Sequence, residues 1–122
     1  MQEYLNKIML SYGTTGEAVR AATGTLVSLL KSRATKDEMI ALHHSLGGLT
    51  NLLKEAVAPD PAVVATPGRP VEVEQARKVL VADGLTPARV DQAIRLFGVH
   101  VRDKVEASLA AKLLAGVKDW GG

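Results

Sequence analysis

Four of the five prolines fall between Ala58 and Pro70, in the stretch APDPAVVATPGRP, and they divide the 122-residue chain. Proline fixes φ and removes a backbone donor, so no helix continues through such a segment. The division leaves an N-terminal region at residues 1–57, a Pro-rich connector at 58–70 and a C-terminal region at 71–122. In and beside the connector, AVVAT and VEV flank a Pro-Gly pair. That pattern accommodates a short β-ribbon or an extended linker with docked valines, and the marginal stability of lone hairpins favours the linker.

What fills the two regions follows from the side chains on hand. Hydrophobic residues make up 47% of the chain, enough for a core and against wholesale disorder. Only 3% is aromatic (one Phe, two Tyr, one Trp), so the core is built from Leu, Val, Ile, Met and Ala. Such a core favours packed helices over a β-sandwich. The expected fold is all-α, two small three-helix halves joined by the connector. In the first half, Leu5, Ile8, Met9 and Tyr12 stripe a helix at about 2–12, closed by Gly13. Val19, Ala22, Leu26, Leu29 and Leu30 stripe a second at about 16–32, with Thr14 or Thr15 as its cap. Thr35-Lys36-Asp37-Glu38 reads as a capping box opening a third at about 36–57. The second half repeats the layout: helices at about 72–82, 87–97 and 100–119, with Asp83-Gly84 and Gly98 between them and Pro87 at a favoured first position.

Interior glycines add a question. Gly24 falls within the second helix and Gly47-Gly48 within the third, each costing about 1 kcal/mol relative to Ala. Counted outward from a turn near Ala34, Gly24 lies level with Ser45 to Gly47, so close packing of the two helices is the expectation. The alternative is a break at Gly47-Gly48 that leaves a separate turn at 50–57.

Charge and cysteine usage narrow the function classes. Lys and Arg number 15 and Asp and Glu 13, a net charge of +2 that gives no strong field for nucleic acid as a whole-chain property. The excess belongs to residues 69–122. No cysteine is present, which removes disulfides, thiolate metal sites and cysteine nucleophiles and is compatible with a reducing compartment. MQEYLN lacks the apolar run of a secretory leader, and Met39 to Leu53 is too short and polar to span a bilayer. A cytoplasmic location without membrane association is expected. No nucleotide, serine-hydrolase or metalloprotease signature occurs, so neither catalysis nor a cofactor is expected. His43-His44 has no ligand partner at helical spacing, and no metal site is expected there; His100 reads as a surface or capping residue.

The most specific pattern is EQARKVLVADGLTPARVDQAIRLFG, residues 74–98. Gly84 stands in the turn, Leu85 follows it, Thr86-Pro87 opens the next helix, and Val90, Ala93 and Ile94 form its buried side. The segment resembles a helix-turn-helix DNA-binding motif. The resemblance implies that the second helix offers its polar face to the major groove. On a helical wheel Gln92 and Arg95 point away from the apolar side and Arg89 lies at its margin. These are residue types that read adenine and guanine edges. Arg77, Lys78, Arg102 and Lys104 would then meet phosphates. The segment departs from the usual pattern at Leu80, where a small residue is common, and at Asp83, where an apolar one is. Asp91 adds a charge that repels phosphate.

LNKIMLSYGTTGEAVRAA also lies on ARKVLVADGLTPARVDQA at an offset of 71, with Gly13 on Gly84 and Thr15 on Thr86. Shared turn punctuation, rather than a repeat, is the expectation. Two functions stay open. One is a nucleic-acid-binding regulator whose first half pairs copies into a homo-oligomer on double-stranded DNA. The other is a non-enzymatic adaptor that binds itself or a protein partner through helical surfaces.

Overall fold

The computed structural model describes residues 1–120. Among them helices α1 (Gln2–Tyr12), α2 (Gly16–Arg33), α3 (Lys36–Leu46), α4 (Leu49–Glu55), α5 (Val71–Ala82), α6 (Pro87–Lys104) and α7 (Ala107–Leu114) precede a 3-10 turn at Lys118–Trp120. The fold is all-α, and no helix among the described residues is long and apolar enough to cross a membrane. Gly121 and Gly122, counted with the C-terminal region, lie outside the described residues.

Helix starts follow their local chemistry. Thr15, Thr35 and Thr86 each accept a hydrogen bond from the backbone three residues on, and Thr35 with Glu38 completes the capping box. The expected stripes are largely the buried ones: Leu5 and Ile8 on α1, Val19, Ala22, Leu26, Leu29 and Leu30 on α2, Val73, Ala76 and Leu80 on α5. Residues of both halves form one core. Packing is reciprocal, with α1 against α6 and α5 against α2. Tyr4 ties the first of these pairs, its hydroxyl donating to the Ala93 carbonyl at 2.8 Å. Burial pushes the Tyr4 phenol above its ordinary pKa.

Three boundaries correct the sequence reading. The expected helix at 36–57 is two helices, because Gly47 and Gly48 both take left-handed φ (69° and 66°) and turn the chain between α3 and α4. Close packing at Gly24 is present, but against α4: a Cβ on Gly24 would lie 2.0 Å from the Leu52 carbonyl oxygen. The expected break at Gly98 is absent. Helix α6 runs through it to Lys104, because Gly98 makes room for Trp120 rather than a turn; a Cβ there would lie 2.4 Å from the Trp120 Cβ. The helix expected at 100–119 is consequently the end of α6, an extended Val105, then α7 capped by Glu106, and the 3-10 turn. In the connector the only ladder feature among the described residues is a single antiparallel bridge, Thr66 with Arg69.

The offset of 71 reaches further than shared punctuation requires. Added to the bounds of α2 it returns those of α6, and added to the start of α3 it returns the start of α7. Val19, Ala22, Thr23, Leu26, Val27 and Leu30 correspond to Val90, Ala93, Ile94, Phe97, Gly98 and Val101, all buried. Leu42 corresponds to Leu113, Leu46 to Val117 and Leu49 to Trp120, again all buried. Size is exchanged within this scheme: Val27 and Leu49 in the first half stand where the second has Gly98 and Trp120.

Candidate nucleic-acid interface

The turn between α5 and α6 is closed by its own backbone. Leu85 N–H donates to the Leu80 carbonyl at 3.2 Å, and Gly84 takes φ 103°, a conformation that favours glycine. Leu85 is buried, and Thr86 caps α6 with Pro87 at its first turn. Val90, Ala93, Ile94 and Phe97 face the core. Rotation about the helix then turns Arg89, Gln92 and Arg95 outward, and all three are exposed. They span about 9 Å of axis at 1.5 Å per residue. Among the described residues neither Arg89 nor Arg95 has a carboxylate partner.

The other cations proposed from the sequence are engaged within the fold. Arg77 is ion-paired with Asp91. Lys78 holds Asp60 of the connector at 2.9 Å. That hydrogen bond, with the Ala62 N–H, holds the Asp60 carboxyl below its ordinary pKa. Arg102 donates to the Trp120 carbonyl at 2.6 Å, and Lys104 lies 3.8 Å from both Glu3 and Asp103. The structure thus brings Arg89, Gln92 and Arg95 together on one open face and disperses Arg77, Lys78, Arg102 and Lys104 among internal partners.

Both acidic departures from the motif have occupations that spacing along the sequence does not reveal. Asp91 is the carboxylate held by Arg77. Asp83 accepts from the Thr15 N–H at 2.9 Å and the Thr15 hydroxyl at 3.1 Å, so it joins the α5–α6 turn to the start of α2. Arg33 is a further residue that sequence reasoning missed. It donates to the Leu113 and Ala115 carbonyls at 2.9 and 2.8 Å, closing the free end of α7. His43 and His44 are exposed, and no group of three His, Cys, Asp or Glu converges among the described residues.

No protein-family model matches the chain, and comparison with curated proteins and with solved structures gives no significant match.

His100 lies within α6 rather than at a helix start, half-buried, its ring 6.0 Å from that of Tyr4. Burial is the main cause that holds its pKa below the ordinary histidine value. The Met1 ammonium and Lys104 add to this, and Glu3 and Asp103 oppose it. The folded state therefore disfavours the imidazolium. The stability involved is complete above the unfolded-state pKa of about 6.5 and is lost as pH falls through the lowered folded value. Thermal melts should show the midpoint dropping on acidification just below pH ~6.5, and His100→Gln should flatten that step. A midpoint that rises over the same window would contradict the assignment.

Proposed function

We propose that the chain is a small nucleic-acid-binding regulator that sets the N-terminal half of α6 against duplex DNA. The supporting observation is the open face carrying Arg89, Gln92 and Arg95, with both arginines free of described carboxylates. Arginine matches guanine and glutamine matches adenine through paired hydrogen bonds in the major groove. The ion pair of Asp91 with Arg77 supports the same reading, since it compensates that charge within the fold, and Asp83 is drawn to the Thr15 N–H and hydroxyl at the start of α2. In this reading the residues 1–57 half pairs two copies, and two α6 helices would meet half-sites about 34–36 Å apart. The first half, with helices α1 to α4, is then the assembly unit and the second the reader, with 58–70 between them.

Fluorescence anisotropy on duplex DNA tests this. Arg89→Ala and Arg95→Ala should each weaken binding by about tenfold without moving the melting midpoint, and affinity should fall steeply with salt. Absence of any binding at low salt would refute the reading. It would leave the adaptor, which one observation favours: Val99, 49% exposed, lies on the same outward face of α6 as Gln92 and Arg95.

A further inference from the structure

A second surface shares no residue with the α6 face. Where Gly47 and Gly48 turn the chain back, the end of α2 meets α3 and α4. There Lys31, Met39, His43, Thr50, Leu53 and Lys54 line a groove of about 420 Å³. Met39 and Leu53 are half-buried and pack on the core, forming the apolar floor. Lys31, His43, Thr50 and Lys54 are exposed and form the rim.

No carboxylate lines this groove, although acids stand beside its residues in the sequence. Each is drawn elsewhere. Glu38 accepts from Lys112 at 2.5 Å and from the Thr35 N–H at 2.8 Å, and those bonds hold its pKa below the ordinary value. Glu55 pairs with Arg20 at 3.3 Å. Lys31 and Lys54 consequently have no ion-pair partner among the described residues. The groove is apolar below and cationic above, and its complement is an apolar group flanked by negative charge.

We propose that this groove docks an acidic segment of a partner protein. One leucine or phenylalanine side chain sits between Met39 and Leu53, and a carboxylate lies against each of Lys31 and Lys54. Methionine adapts its shape to such an anchor, and charges of opposite sign steer encounter and fix register. A nucleic-acid strand fits less well, because the rim offers neither an aromatic platform nor arginine for stacking bases. A membrane surface also fits less well. Its ligands carry their apolar side chains outermost, and here these lie beneath the lysines.

The test uses the whole chain and a fluorescein-labelled peptide, GEEDLLDEEG, followed by anisotropy. Saturable binding is expected. Lys31→Glu combined with Lys54→Glu should weaken it by at least about tenfold, with unchanged circular dichroism because both side chains are exposed. Replacing the two leucines of the peptide with serine should weaken it by a similar factor, whereas Arg89→Ala with Arg95→Ala should leave it unchanged. Equal affinity for the serine peptide would reduce the site to unspecific charge attraction and overturn the proposal. So would the absence of saturable binding, or binding carried by Arg89 and Arg95. Phosphatidylglycerol vesicles or duplex DNA whose binding depends on Lys31 and Lys54, in place of the peptide, would assign the groove to another ligand and also overturn it.

Discussion

Replacing Trp120 with alanine is expected to lower the unfolding free energy by about 3–4 kcal/mol, the range for truncating a buried large aromatic. Trp120 is fully buried, its ring centroid 5.3 Å from that of Phe97, and its Cβ lies over Gly98. Truncation leaves Phe97 and the bare Gly98 backbone lining a cavity. It also loosens the 3-10 turn at Lys118–Trp120, whose Trp120 carbonyl accepts from Arg102. Measured by thermal melting, a loss of that size corresponds to roughly 10–15 °C in a domain of this length. Trp120→Phe is expected to retain most of the stability, because the buried indole N–H has no hydrogen-bond partner among the described residues and nothing polar is forfeited. An alanine variant that melts with the wild type would show that the final turn contributes nothing to the core.

The same pair explains why one boundary could not be read from the sequence. Gly13 and Gly84 end helices with positive φ, and Gly98, similarly placed after an apolar stripe, does not. A glycine is chosen either for its conformational freedom or for its missing side chain. Only the partner decides between the two, and here the partner is a tryptophan more than twenty residues on. Three helix starts were legible because their chemistry is local: Thr15, Thr35 and Thr86 bond to amides three residues away. Buried stripes were legible for a similar reason, since a helical period fixes which side chains share a face.

The candidate interface divides along the same line. The outward direction of Arg89, Gln92 and Arg95 follows from the period of α6 and needs no tertiary knowledge. The engagement of Asp83 with Thr15, of Arg33 with the end of α7, and of Lys78 with Asp60 depends on how distant elements pack, which composition and spacing leave open. The correspondence at an offset of 71 occupies the middle ground. A few shared residues suggested it, and equal helix bounds with equal buried positions extend it.

Gly24→Ala is expected to destabilise by about 2 kcal/mol, against the sign of the usual helix rule. At an unobstructed helical site the change gains about 1 kcal/mol from backbone entropy. Here the added Cβ would stand 2.0 Å from the Leu52 carbonyl oxygen, 2.9 Å from its carbon and 3.1 Å from the Ala56 nitrogen. Those are backbone atoms of α4 and its cap, so no rotamer change relieves the overlap and the whole short helix must move. Movement withdraws the buried Leu49 and Leu52 from the core and strains the bond from the Val57 N–H to the Thr25 hydroxyl, 2.9 Å long. Overpacking of this kind costs about 1–3 kcal/mol and occasionally more, which exceeds the entropic gain. Gly16→Ala is the matched control in the first turn of the same helix. Its nearest neighbour would be the flexible Met9 side chain at 3.8 Å, an ordinary contact, so the variant should melt at or slightly above the wild type. If Gly24→Ala also melts there, α2 and α4 do not cross as closely as described.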